Sequence, residues 1–334
     1  MKNIEKNNKV SKFLSYAQAY ITIQGKKTIT SIAQTVSQSR ISVQRFFDKR
    51  SQKLEEIEAE LIKQARKCFG LRPVTAVIDE TKFQKIYAKQ IEGLEYGFDS
   101  SNKRTCLLLN YIFVMLTDGA QNIPIKAKNV ISKALAKDAY ISKDQLVIML
   151  LESLKKEFNI TKFIGDAHYG SATVMQWCRE NGIEALTKIP RNRKILVNKE
   201  SGQIKNLVKL RRNEHSRRVG AILQGVKCYI YAVKLASDKI NYYISNYKID
   251  RKKVFEIYKQ RWIIEKFFRT AKQRLGLKDC QSKSAEKQML HIYLVMQAYY
   301  DLEMLRLKEN LSSVDVAVKH FLTLKSKCLP SGYA

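Results

Sequence analysis

Several features are scarce in this chain of 334 residues, and each shortage excludes a class of protein. Its six cysteines lie far apart and form no C-x-x-C pair, which excludes a zinc ribbon and favours a reduced, cytosolic setting. No apolar run is long enough to span a bilayer, since the longest, residues 107–116, is ten residues long and contains Asn110. Residues 1–6 lack the apolar core of a signal peptide. We therefore expect a cytoplasmic protein without a membrane partner.

Acidic residues are also scarce. The chain has 61 Lys and Arg against 31 Asp and Glu, a net charge of +30. Hydrophobic residues make up 45%, which is ordinary for a globular protein and excludes a mainly disordered chain. Nucleic acid is the commonest acidic partner for such a charge. A highly soluble, lysine-rich surface is the alternative interpretation.

The first 70 residues predict an all-helical N-terminal domain. No proline precedes Pro73, and apolar residues recur at helical spacing. Residues 28–47 read as helix, tight turn, helix, with the small Ala33 at the crossing and Arg45 free to meet a DNA major groove. Because the turn has no glycine, a plain helical hairpin is the alternative.

Residues 71–189 change to an alternation of strands and helices. Val74–Asp79 and Lys162–Asp166 each predict a short buried strand that ends in a carboxylate. Residues 142–158 and 171–181 predict helices, and 184–189 a further strand. This order predicts an α/β fold with a mixed central sheet flanked by helices.

Residues 190–248 predict a basic, β-rich insertion. The stretch 188–218 holds eleven basic and two acidic residues, a net charge of +9. Its candidate DNA contacts are the arginines Arg191, Arg193, Arg211, Arg212, Arg217 and Arg218. A solvated loop is the alternative.

Residues 250–277 predict one long helix within a segment 249–282, and residues 283–334 predict further amphipathic helices. Tyr258, Arg261, Glu265 and Lys272 fall inside an arc of roughly 60° on the long helix. Glu265 could hold a divalent metal there, and Arg261 could grip a phosphate. The alternative is a surface helix in which the two form an i, i+4 ion pair.

Two further carboxylates support a metal site. Asp79 and Asp166 follow strands, at the edge where open α/β sheets bind ligands. Together with Glu265 they offer three hard oxygen donors suited to Mg²⁺ or Mn²⁺. Glu80 is a rival to Asp79, although strand alternation sends the two to opposite faces. His168, two residues past Asp166, could act as an acid or cap the next helix.

Three segments carry a family resemblance. Residues 258–272 fit the pattern Y-x2-R-x3-E-x6-K, so the chain resembles the DDE transposases of one large group of bacterial insertion sequences. Residues 78–81 and 165–170 resemble the stretches around that family's first and second aspartates. The resemblance implies a ribonuclease-H-like core with a β insertion. It also implies that Asp79, Asp166 and Glu265 bind two divalent ions, while Tyr258, Arg261 and Lys272 contact DNA.

The function implied is a bacterial transposase that cuts double-stranded DNA at terminal inverted repeats and joins the ends to target DNA. Pairing two ends implies a homodimer on DNA. Relatives often excise through a DNA hairpin with the help of a tryptophan in the insertion, but Trp177 and Trp262 both lie outside it here. Two alternatives are a non-catalytic DNA-binding regulator or domesticated remnant, and a structure-selective nuclease on the same core.

Overall fold

The computed structural model describes residues 2–88, 90–99 and 103–328. In this part of the chain an eleven-stranded mixed sheet is flanked by helices on both faces. The strands are β1 Val74–Gln84, β2 Glu95–Asp99, β3 Arg104–Thr117, β4 Asn122–Asn129, β5 Ile160–Gly165, β6 Glu184–Lys188, β7 Lys194–Val197, β8 Glu200–Gln203, β9 Ser216–Leu223, β10 Val226–Lys234 and β11 Ile240–Ser245. The helices are α1 Lys2–Thr22, α2 Ile29–Thr35, α3 Arg40–Arg50, α4 Leu54–Phe69, α5 Lys133–Ala136, α6 Lys143–Lys155, α7 Ala172–Glu180, α8 Ile204–Leu207, α9 Val254–Lys259, α10 Trp262–Gln273, α11 Ala285–Lys308 and α12 Val314–Cys328.

The order of the central strands is β4-β3-β1-β5-β6. Strand β3 pairs antiparallel with both β1 and β4, whereas β5 lies parallel to β1 and β6 parallel to β5. An antiparallel meander followed by two parallel strands is a ribonuclease-H-like arrangement. The predicted α/β fold class is therefore confirmed.

The sheet separates two hydrophobic cores. Val77 and Phe83 of β1 belong to a core that includes α10, α11 and the N-terminal helices. Ala76 and Ile78 belong to the opposite core, which includes α6 and α7. Because side chains alternate along a strand, Asp79 and Glu80 start from opposite faces of the sheet.

All elements described up to Phe69 are helices joined by short links, which confirms the predicted all-helical segment, and α1 packs along α11. Ile32 and Val43, on α2 and α3, are buried between the helices. The turn between those helices uses Ser37 at φ 52° in place of the usual glycine. Among the described residues, none of the helices combines the length and the apolar composition that a membrane span requires.

The insertion strands β7–β11 extend the central sheet, because β11 pairs antiparallel with β6. The predicted β-rich insertion is thus confirmed. Tyr231 and Tyr243 are fully buried on these strands, so they pack the core.

Three details of the sequence prediction are wrong. Asp79 does not end its strand, because β1 continues to Gln84 against β3 after its parallel pairing with β5 has stopped. The helix predicted over 250–277 is interrupted: α9 starts at Val254, and Arg261 closes a tighter turn by donating its N–H to the Tyr258 carbonyl at 3.0 Å. Helix α11 is buried on most of its surface instead of being amphipathic.

Candidate active site

Asp79 and Asp166 lie side by side where two parallel strands stop pairing. Ile78 of β1 is in register with Gly165, the last residue of β5, so an aspartate follows on each strand. Gly165 has no room for a side chain, since an added Cβ would be 3.0 Å from the ring of Tyr169. The local packing therefore requires glycine just before Asp166.

Helix α10 brings Glu265 to the same place. The helix lies on the sheet through Phe267 and Phe268, whose ring centroids are 5.6 and 5.4 Å from that of Phe113. The half-buried Arg261 then spans the gap: its Nη1 donates to Asp79 Oδ2 at 2.7 Å, and its Nη2 donates to Glu265 Oε1. One guanidinium thus bridges two of the three predicted metal ligands.

The ionisation of Asp79 depends on burial and on the charges around it. Burial raises the pKa of Asp79 to about 6, against the lowering effects of Arg261 and of a hydrogen bond from the Glu80 N–H. The charges of Asp166 and Glu265 raise it further. Part of the rise is therefore like-charge repulsion, which a nearby cation would relieve.

The donor set fits a divalent ion in chemistry, although the carboxylates are not gathered around a common point. Among the described residues, no three His, Cys, Asp or Glu side chains form a preformed metal cluster. Two buried polar atoms beside the carboxylates, Tyr258 Oη and Arg261 Nε, have no hydrogen-bond partner. Oxygen ligands, mutual repulsion and unsatisfied polar atoms together suit a site that receives a further charged group.

Glu80 has a different environment from its neighbour. Its carboxylate accepts hydrogen bonds from Lys143 at 2.8 Å, Asn110 at 2.8 Å and Tyr169 at 3.0 Å. Burial alone would raise the pKa of Glu80, but the bonds from Lys143 and Asn110 outweigh it and the pKa is lowered. Arg261 and the partners of Glu80 lie on opposite faces of the sheet. Glu80 nevertheless lines the same cleft as Asp79.

This cleft has a volume of about 270 Å³, and we call it the catalytic cleft after the two aspartates predicted to act there. Asp166 lines it, as do the exposed His168 and the half-buried Lys272. Lys272 holds its ammonium 5.5 Å from the centre of the Phe268 ring, and burial lowers its pKa. The other lining residues are Asp79, Glu80, Thr81, Lys82, Asp99, Lys143 and Tyr169.

Tyr258 lies beneath this surface. Its ring is only 8% exposed, packs 4.8 Å from the centroid of Tyr243, and has the Arg261 guanidinium 5.7 Å from its centroid. Burial raises the pKa of the Tyr258 hydroxyl. In this conformation Tyr258 supports Arg261 and does not itself reach the solvent.

The arginines predicted to contact DNA lie outside the catalytic cleft. Arg217 and Arg218 are half-buried and donate to the carbonyls of Lys209, at 2.6 Å, and Ile249, at 3.1 Å. The others are exposed on the insertion and on α3: Arg191, Arg193, Arg211, Arg212 and Arg45. The structure does not bring these arginines together with the carboxylates.

Sequence reasoning missed several cleft residues. Lys143 is the first residue of α6, where the helix dipole disfavours a cation. This unfavourable position is a signal in the sequence that Lys143 has an acidic partner. Lys82 lies two residues after Glu80, so strand periodicity could have placed it on the same side. Asp99 and Asn110 carry no local signal, because only the pairing of β2 and β3 with their neighbours brings them to the site.

Two family models match the chain, each over more than half of its length. One, described as "Transposase DDE domain", matches residues 114–300, and the other, "DDE superfamily endonuclease", matches residues 1–206. The chain belongs to the DDE transposase superfamily. Members of this superfamily are nuclease-type enzymes, which agrees with the coarse function predicted from the sequence. No curated protein matches this DDE superfamily member significantly.

Solved structures are similar only at a distance. A piggyBac transposase synaptic complex with hairpin DNA aligns with a TM-score of 0.49 and 11% identity, over 77% of this chain and 54% of the other. This DDE superfamily member thus spans about half the length of that transposase. The NurA nuclease from Sulfolobus solfataricus aligns with a TM-score of 0.31 and 10% identity, over 86% of this chain and 99% of the other.

Proposed function

We propose that this chain is an insertion-sequence transposase of the group with the Y-x2-R-x3-E-x6-K signature. It would cut DNA at the terminal inverted repeats of its element and join the ends to target DNA. The proposal is supported by two contacts between distant parts of the chain: Asp79 and Asp166 follow the paired parallel segments of adjacent strands, and Arg261 joins Asp79 to Glu265.

Asp79, Asp166 and Glu265 would hold Mg²⁺ or Mn²⁺, two ions per site. When bound, such ions supply positive charge to the reacting phosphate and lower the pKa of a coordinated water. Arg261 would then release the carboxylates and use its planar fork on a phosphate oxygen. Its half-buried position above Tyr258 limits the orientations that it can adopt.

The remaining predicted contacts would position the DNA. Lys272 would meet the backbone as a point charge, and Tyr258 would orient Arg261 from below. His168 is exposed on the cleft wall and would act as an accessory donor to the phosphate. The six insertion arginines and Arg45 would hold DNA beyond the cleft, and two chains would pair the two ends.

The test is cleavage by Asp166→Asn and Glu265→Gln variants. The substrate is a duplex carrying the DNA that borders this gene, with Mg²⁺ or Mn²⁺ supplied. We expect wild-type protein to cut at the repeat ends and each variant to lose about a thousandfold in rate, since several kcal/mol of transition-state stabilisation is removed. Glu152→Gln, which removes an exposed carboxylate from α6, is the matched control and should cut normally.

Other outcomes point to the alternatives. Tight binding without cutting under either metal would indicate a DNA-binding regulator. Cutting of branched DNA irrespective of its ends would indicate a structure-selective nuclease. Undiminished cutting by Asp166→Asn would contradict the assignment of the site.

A further inference from the structure

A second cleft lies beside the catalytic one, between the link that joins α1 to α2 and the end of α10. Its volume is about 260 Å³. The residues that matter here are Gln24, Lys26 and Lys27 from the link and Lys272, Gln273 and Arg274 from α10 and its end. We call it the Lys26–Arg274 cleft.

The Lys26–Arg274 cleft has an excess of positive charge, since four basic residues and one acidic residue, Asp279, line it. Lys26 and Arg274 are exposed. Lys27 is buried, and its ammonium donates to the carbonyls of Ile23 and Gly25, so it shapes the link. Asp279 lines the cleft too, but its Oδ2 accepts the Lys27 N–H at 3.0 Å. Lys26 and Arg274 are therefore the exposed cations of this cleft, beside a link whose carbonyls are bound by the Lys27 ammonium.

Lys272 connects the two clefts, because it lines both. A phosphate chain that leaves the catalytic carboxylates past Lys272 would next meet Lys26 and Arg274. The link also leads directly into α2 and α3, the helices predicted to read DNA. The cleft is thus placed between the cutting site and the reading helices.

We propose that the Lys26–Arg274 cleft binds backbone phosphates of the same DNA strand that is cut, on the side of the scissile linkage where the strand passes Lys272. This inference rests on the proposed function. Two exposed cations with amide donors from Gln24 and Gln273 suit phosphodiester oxygens. The contact fixes the distance between the recognised sequence and the cut.

The first experiment measures DNA binding by a Lys26→Gln/Arg274→Gln double variant. The probe is the duplex that borders this gene, titrated between 50 and 200 mM salt. Each lost phosphate contact should flatten the plot of log K against log salt by about 0.9, so the double variant should lose up to about 2 units of slope. Arg66→Gln/Lys67→Gln is the matched control, because it removes one arginine and one lysine that are exposed on α4 and line neither cleft.

The second experiment locates the contact by ethylating the DNA phosphates and finding which modifications block binding. We expect one or two interfering phosphates near the cut to lose their effect in the double variant only. If wild-type protein binds and cuts while the double variant keeps the wild-type slope and interference pattern, the inference is wrong. If wild-type protein neither binds nor cuts the duplex, the proposed function fails, and the inference fails with it.

Discussion

Two neighbouring carboxylates on β1 have opposite environments. Glu80 is satisfied by Lys143, Asn110 and Tyr169, and its pKa is lowered. Among the described residues, Asp79 has one side-chain partner, Arg261, and burial together with the charges of two other carboxylates raises its pKa to about 6. The surroundings therefore stabilise the negative charge of Glu80 and disfavour that of Asp79, although the two carboxylates are adjacent in sequence. Unfavourable ionisation of this kind is typical of a functional site, whereas a fully bonded carboxylate is typical of structure.

The largest expected difference between the two is in DNA cleavage. Asp79→Asn should reduce the rate about a thousandfold, because it removes a proposed metal ligand. Glu80 is not one of the proposed ligands, and glutamine has the same shape as glutamate. The cleavage rate of Glu80→Gln should therefore stay within about tenfold of wild type. Single-turnover cleavage with Mn²⁺ at saturating protein measures both. Equal losses would mean that Glu80 belongs to the catalytic machinery and that the comparison is wrong.

Arg261 offers the next test, because it compensates the charge of Asp79 without a metal. In metal-free buffer Arg261→Gln should lower the free energy of unfolding by about 2 kcal/mol, since it leaves partly buried carboxylates unpaired. Mn²⁺ should then stabilise the variant more than it stabilises wild-type protein, because the ion no longer competes with a guanidinium. Thermal unfolding with and without Mn²⁺ gives the result.

The control for that test is Arg50→Gln. Arg50 is a buried arginine paired with Glu56 at 2.9 Å, away from the catalytic cleft. Its loss should destabilise the protein with no extra response to Mn²⁺. A Mn²⁺ shift for Arg261→Gln that equals the wild-type shift would contradict the view that the guanidinium holds the place of a cation.

Local sequence pattern predicts which carboxylates are candidates for the site. Asp79, Asp166 and Glu265 were selected because apolar strands and a helical stripe surround them, and the α/β order followed from the same periodicities. The pairing of Lys143 and Asn110 with Glu80 could not be found in this way, because the three residues come from different elements. The interruption at Gln260 and Arg261 was also invisible, since no proline or glycine marks it. Local periodicity therefore specifies which groups can meet, and tertiary pairing decides which of them are satisfied.

The smallest expected effect is the dependence of stability on pH in metal-free buffer. It is also the most direct comparison of the environments of Asp79 and Glu80. The pKa of Asp79 is raised from 3.8 to about 6, so folded protein binds this proton more tightly than the unfolded chain does. Stability should therefore fall as the pH rises from about 4 to about 6. The pKa of Glu80 is lowered from 4.5, so its contribution is present above pH 4.5 and is lost as the pH falls below that value.

Each contribution can be removed separately. Asp79→Asn should flatten the decline between pH 4 and 6, and Glu80→Gln should flatten the loss on the acid side of pH 4.5. Urea unfolding from pH 3.5 to 7 with EDTA present measures both slopes, and the effects should be about 1 kcal/mol because both side chains keep some contact with water. If both substitutions changed the slope of unfolding free energy against pH with the same sign, the two carboxylates would share one environment. We expect opposite signs because the surroundings of Asp79 disfavour its charge, whereas those of Glu80 stabilise its charge.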